Sequence, residues 1–272
     1  QKMGVRTYLK YFTNFNFGLK TNIDLSGEMR TASLVFNENT MGPTELATST
    51  FGQGFNVTMI QMIAGYCSLI NGGYYYEPHI VSKITASDGS VVKTISPRIL
   101  KQTISAHTSA QIVDYCIGVV KEGTGKTARP AGYMIGGKTG TAETVPRDRT
   151  NYILSFMGFA PADDPQIAIY VVVDRPNTWA QDNVGFATRL CRSILTEVLP
   201  YMHIYMCHKQ NREVRVHGEN TSYLLSELVD MKVCNKFGVV QQPGAGLFGI
   251  SKNILKVVLI KEDISVVNCP IF

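Results

Sequence analysis

Lys138, Thr139 and Thr141 stand together in the run Gly136-Gly137-Lys138-Thr139-Gly140-Thr141-Ala142, a cation and two hydroxyls set among three glycines. An ammonium beside hydroxyls attracts a carboxylate through charge-assisted hydrogen bonds. Glycines let a second backbone approach closely. As an edge strand, the segment could pair with an extended peptide while Lys138 and the threonines hold its carboxylate. Strand alternation would put Lys138 and Gly140 on one face and Thr139 and Thr141 on the other, unless a bulge re-aims them. The competing reading is a glycine-rich strand with one solvated lysine, and the residues by themselves weigh the two evenly.

Other chemistries are less well supported. Gly132 to Thr139 also spells the G-x-x-x-x-G-K-[ST] phosphate loop. That loop must follow a buried strand and open a helix. Here Arg129-Pro130-Ala131 precedes it, Tyr133-Met134-Ile135 fills it, and Pro146 follows within a turn or two. Six scattered cysteines without a C-x-x-C pair argue against a disulfide framework. His203, Cys207, His208 and His217 lack the second paired set of a zinc site. No metal or cofactor is expected. With 26 basic and 21 acidic residues among 272, the net charge is only +5, and nucleic acid is not an expected partner.

These residues need a scaffold, and the hydrophobic patterning describes one. Lys2 to Phe15 reads as an amphipathic helix with Val5, Tyr8, Leu9 and Phe12 on one face. Met29 to Thr44 reads as a long surface loop. The uncharged stretch between Glu45 and Glu77 contains the apolar run Val57–Ile70, too short and too interrupted to cross a bilayer, so a buried helix is predicted. His79–Thr85 and Ser90–Ile95, joined by Asp88-Gly89, predict a hairpin. Ser105 is the predicted N-cap of a helix reaching Val120 and ended by Gly123-Thr124-Gly125. Three strands follow, Tyr133–Ala142, Asn151–Ala160 and Gln166–Asp174, with connections short enough for antiparallel neighbours. A helix over Val184–Leu199, stopping at Pro200, covers that sheet. The fold class is α+β, an antiparallel sheet flanked by helices. Beyond Gln210, Glu213–Val216, Ser222–Val229, Val239–Gly244 and Ile254–Ile260 read as a separate small β-α-β-β unit.

Lys138-Thr139-Gly140 is the K-T-G of penicillin-binding proteins and serine β-lactamases. Gly136 to Glu143 as a whole closely resembles the transpeptidase domain of class B penicillin-binding proteins. Its neighbours do so in the family's order: Phe17 to Glu28, Phe51 to Thr58, Asn71-Gly72-Gly73, Pro78-His79, Gly123-Thr124-Gly125 and Gly158 to Pro161. The similarity runs over residues 1–204, and the vegetative and sporulation-type branch is nearest. Residues 212–261 resemble a divergent PASTA domain through Val239 to Gly246 and Lys256 to Ile260.

The resemblance implies a D,D-transpeptidase that cross-links peptidoglycan stem peptides through a serine acyl-enzyme, with β-lactams as acylating mimics. It implies that Lys138 supplies charge and hydrogen bonding, and that Thr139, Gly140 and Thr141 form the substrate-binding edge. The hydroxyls of Thr139 and Thr141 would contact the substrate carboxylate, and the Thr141 backbone N–H would serve the oxyanion hole. The implied location is the extracytoplasmic face of a bacterial membrane, held by an anchor N-terminal to this chain.

The family's S-x-x-K and S-x-N motifs are not in their places. Ser90-Val91-Val92-Lys93 spells the first inside the predicted hairpin, and Ser251-Lys252-Asn253 spells the second after K-T-G. Both read as chance matches. The family's motifs are expected before Gln1, and the chain alone is expected to be catalytically incomplete. A serine β-lactamase relative and a non-catalytic penicillin- or peptidoglycan-recognising module are the alternatives.

Overall fold

A computed structural model of the chain describes residues 3–145, 151–206, 255–261 and 266–267, the last two stretches as backbone only. Helix α1 spans Val5–Asn14 and turns Phe12 inward, against the rings of Tyr8, Phe17 and Phe55. The predicted 29–44 loop is largely irregular, with one 3-10 turn at Ala32–Leu34. It ends in a short helix, α2, over Pro43–Ser49. This helix was not anticipated. Pro43 at its first turn and Glu45, whose carboxylate accepts from the Gly42 N–H at 3.0 Å, are the local signals for it.

Helix α3, Met59–Ile70, occupies the predicted apolar run. It starts where Thr58 and Gln61 cap one another reciprocally, each backbone N–H donating to the other's side chain at 3.2 Å. Gln61 is wholly buried and stays satisfied: it donates to the Leu19 carbonyl and accepts from the Thr31 hydroxyl at 2.8 Å. One side chain thereby starts the helix and ties the preceding loop to it. The turn from Phe17 to Glu28 is held in the same manner. Glu28 accepts from the Thr21 N–H and hydroxyl and the Asn22 N–H, and Asp24 accepts from the N–H groups of Ile80 and Val81. No described helix is long and apolar enough to cross a membrane.

Strand β1 (Tyr74–Tyr76), the hairpin β2 (Lys83–Thr85) and β3 (Val91–Thr94), and β4 (Ile99–Gln102) follow. The hairpin forms around Asp88-Gly89 as predicted. The antiparallel β1–β4 pair joins residues 25 or so apart that periodicity did not connect. It buries Tyr75 completely, and Lys101 of β4 lies 5.5 Å over that ring. Helix α4, Ala106–Lys121, begins at Ser105, whose hydroxyl accepts from the Thr108 N–H at 3.1 Å.

The principal sheet contains β5 (Gly136–Glu143), β6 (Tyr152–Ala160), β7 (Ile167–Asp174), β8 (Leu255–Lys261) and β9 (Val266–Val267), antiparallel and in that order. Helix α5, Gly185–Tyr201, covers one face, where Leu154, Phe156, Ile169, Val171 and Val173 meet Cys191, Leu195 and Leu199. Helices α3 and α4 cover the other, where Phe159 and Ala168 meet Ile63, Tyr66, Ile70 and Cys116. The fold is therefore the expected α+β layer. Two further details differ from expectation. Helix α5 runs one residue past Pro200, because the proline removes a single donor and the Met202 N–H still reaches the Val198 carbonyl at 2.9 Å. The apolar strand assigned to a separate terminal unit forms, but as β8 it pairs along β7 from Ile167 to Val173 and joins the main sheet. A run of alternating apolar residues specifies a strand and not its partner. The rest of the expected unit, residues 212–254, lies outside the described residues.

Candidate functional site

Strand β5 forms the edge of the sheet, paired on one side with β6 and with no ladder partner on the other among the described strands. Its register against β6 is unbroken, Gly136 opposite Phe159 through Glu143 opposite Tyr152. The alternation read from the sequence therefore holds without a bulge. Lys138 lies opposite Met157 on the α3–α4 face, and Thr139 lies opposite Phe156 on the α5 face.

The glycines are fixed by packing. A Cβ on Gly136 would lie 2.2 Å from Cζ of Phe159, one on Gly137 would lie 2.3 Å from Cζ of Phe156, and one on Gly140 would meet Oγ of Ser155 at 2.4 Å. Real side chains cannot approach so closely, so the strand is kept thin where it crosses the two core phenylalanines.

Lys138 is exposed, and its ammonium donates to the Thr139 carbonyl at 2.6 Å. The charge also reaches into the α3–α4 face. Burial raises the Cys116 thiol above its ordinary pKa, while the Tyr66 hydrogen bond and Lys138 act in the opposite direction. The Thr139 hydroxyl shares a hydrogen with that of Thr124 at 2.8 Å. Thr124 follows α4 in the Gly123-Thr124-Gly125 turn, whose Gly123 and Gly125 N–H groups both reach the Val119 carbonyl. Sequence reasoning used this triplet as a helix stop and a family marker and did not place its hydroxyl at the site. Thr141 is exposed and Gly140 half-buried, so the run from Lys138 to Thr141 presents a cation, hydroxyls and edge backbone along about three strand rises.

The competing motifs fare differently. Gly136 to Thr139 are strand and not a loop opening a helix, so no phosphate loop forms there. Ser90 stands before β3, where its hydroxyl donates to the Asp88 carboxylate at 2.7 Å, and Lys93 pairs with Ile84 inside the hairpin. The S-x-x-K spelling thus falls on a hairpin, as expected of a chance match. Ser251 to Asn253, Cys207, His208 and His217 lie outside the described residues. Among the described residues no three His, Cys, Asp or Glu side chains come together as a metal site.

Residues 1–196 match the penicillin binding protein transpeptidase domain. The chain belongs to that family. It is 37% identical to stage V sporulation protein D of Bacillus subtilis, a match covering 97% of this chain and 44% of that protein. It is 30% identical to penicillin-binding protein PbpB of Mycolicibacterium smegmatis over 68% of this chain and 30% of the relative. Its structure resembles that of penicillin binding protein 3 from Mycobacterium tuberculosis with a TM-score of 0.67 and 27% identity, covering 76% of this chain and 48% of the other. That protein has also been solved in complex with aztreonam and with ampicillin. The chain spans less than half the length of these relatives. As a member of the transpeptidase family it carries K-T-G on the edge strand of its main sheet, with Thr124 beside it.

Proposed function

We propose that this chain supplies the β5 wall of a peptidoglycan D,D-transpeptidase cleft, in a protein that also bears the family's acylating serine. The observation that carries the reading is the unbroken edge strand from Gly136 to Glu143, with Lys138 and the Thr139 hydroxyl on opposite faces and no side chains at Gly136, Gly137 and Gly140. An extended stem peptide lies along the free edge of β5. Lys138 provides positive charge and hydrogen bonding at the reacting end. Thr139 and Thr141 hold the terminal carboxylate, with Thr124 fixing the Thr139 rotamer. The Thr141 backbone N–H is one of the oxyanion donors. Loss of such a donor typically costs about 10²–10³ in rate.

In this reading the serine forms an ester with the penultimate residue of the donor stem, the terminal residue leaves, and an amine of a neighbouring stem displaces the serine. β-Lactams acylate the same serine. The domain assignment is residues 1–204, with β8 completing the main sheet, as part of the transpeptidase domain, and the PASTA-like reading of 212–261 is confined to the residues before β8. The working location is the outer face of the bacterial membrane, where the substrate is.

The test is labelling with a fluorescent penicillin. The 272-residue chain alone takes up no covalent label, because its S-x-x-K spelling sits in the β2–β3 hairpin. A stable adduct on it would overturn the assignment of the serine to other sequence. In the longer protein, Lys138→Ala lowers the acylation rate by at least tenfold, and an unchanged rate removes Lys138 from the mechanism. If the longer protein takes no label at all, the recognition-module reading replaces the enzymatic one.

A further inference from the structure

On the α5 face of the sheet, opposite the face that carries Lys138, a cavity of about 530 Å³ lies between α5 and the 3-10 turn Lys126–Ala128. Three cations line it: Lys126, Arg129 and Arg192. No carboxylate lines it, and none of the three cations makes an ion pair among the described residues. Like charges gathered around one concavity repel each other, and a bound anion relieves that repulsion.

The cavity is held in shape by its surroundings. Thr127 of the turn and Thr188 of α5 share a hydrogen at 2.5 Å, and Ala128 and Ala187 are fully buried beside them. Gly132 adopts a positive φ of 80°, and a Cβ there would lie 2.6 Å from Sδ of Met206, so the absence of a side chain lets Met206 close one wall. Arg192 and Thr196 lie one turn apart on α5, and the Thr196 hydroxyl donates to the Arg192 carbonyl at 2.7 Å, leaving its lone pair as an acceptor. The rest of the lining includes Pro130, Ala131 and Pro200, which are apolar.

We propose that this cavity binds a phosphate-bearing organic anion. Two guanidinium groups and one ammonium match the several oxygens of a phosphate better than they match a single carboxylate. The proline and alanine wall receives the organic part, in the usual pattern of a few polar groups set in an apolar concavity. The cavity is separate from the β5 edge, so occupancy does not require an intact transpeptidase cleft.

Calorimetric titration of the 272-residue chain with glycerol phosphate tests this. The expected result is saturable one-to-one binding that free glycerol does not reproduce and that weakens as salt is raised. Arg129→Gln and Arg192→Gln each weaken it at least tenfold, and Lys138→Ala leaves it unchanged. Thermal denaturation checks that each variant is folded, and Arg192→Lys serves if Arg192→Gln is not. Vesicles of phosphatidylglycerol, against vesicles of phosphatidylcholine, identify the source of the phosphate. Binding to the former that is lost in Arg192→Gln assigns a lipid headgroup, and binding to glycerol phosphate alone assigns a soluble or polymeric phosphate. Absence of saturable binding to both probes, or variants that bind as the parent does, overturns the proposal.

Discussion

The hydroxyls of Thr124 and Thr139 are 2.8 Å apart, joining the turn after α4 to the K-T-G strand. Thr139 faces away from Lys138, so its hydroxyl cannot be oriented by the lysine and is oriented by Thr124 instead. Removing that partner is worth about 0.5–1.5 kcal/mol, the net value of one hydrogen bond. In the longer protein, Thr124→Val should slow acylation by fluorescent penicillin by up to about tenfold, and Thr124→Ser should restore most of the rate. Equal rates in Thr124→Val and the parent would show that the contact is dispensable.

Gly136 and Gly137 differ in what blocks a side chain, and the difference predicts which substitution can be rescued. At Gly136 the obstacle is the Phe159 ring alone; at Gly137 it is the Phe156 ring together with the Met157 carbonyl oxygen, 2.6 Å from the added Cβ. Each alanine should destabilise the chain by about 1–3 kcal/mol through overpacking. Phe159→Leu should recover part of the loss in Gly136→Ala. Phe156→Leu should not recover Gly137→Ala, because the backbone oxygen stays. Denaturant unfolding of the double variants decides the matter.

Buried thiols and phenols give the protein an alkaline limit. Burial pushes the Cys67 thiol up to about 12 and also raises Cys116, Cys191, Tyr66 and Tyr75 above their ordinary values. At a pH above the unfolded thiol's value of about 8.5, the unfolded chain has released protons that the folded chain keeps, so stability falls as pH rises. The contribution is complete below about pH 8 and is lost progressively toward the folded values. Unfolding midpoints should be level from pH 7 to 8 and drop between pH 9 and 11. The drop should be shallower in Cys67→Ala, and an identical profile would contradict the shift.

The pairing of β8 with β7 predicts the effect of removing the terminal segment. Seven residues of β7, nearly all of them buried, have β8 as their ladder partner on that side. Ending the chain at Met206 should lower the thermal midpoint and promote association between copies, since a long apolar strand edge is exposed. A segment that behaves as an independent unit would leave residues 1–206 as stable as before.

The parts of the structure that were legible in sequence are those fixed within a few residues. Asp88-Gly89 announced its hairpin, Ser105 its helix, and the alternation of β5 its two faces, because each rests on a pattern completed locally. What escaped depends on distant residues. Tyr74–Tyr76, which local patterning assigns to no element, becomes a strand only by pairing with β4. The strand over residues 255–261 was recognised, but its place beside β7 was not, since alternation names a face and not a neighbour. At the site, residue types alone weigh a peptide-binding edge evenly against a solvated lysine for Lys138 to Thr141, and the fold adds that the four lie on the edge strand β5. Thr124 was hidden because fifteen intervening residues bring it back to Thr139, and its local pattern is merely that of a helix stop.

The packing around Gly136, Gly137 and Gly140 also limits how the cleft can change over time. At Gly136 and Gly137 the side chains that forbid substitution are core phenylalanines, so a substitution there disturbs the hydrophobic interior before it alters recognition. Under the proposed function, a lineage selected for refusing a β-lactam while still accepting a stem peptide has few routes through β5. In that reading discrimination is acquired at the rim, in the Gly123–Gly125 turn whose Thr124 meets Thr139. The interior thus acts as a steric archive that preserves the strand while its borders diversify.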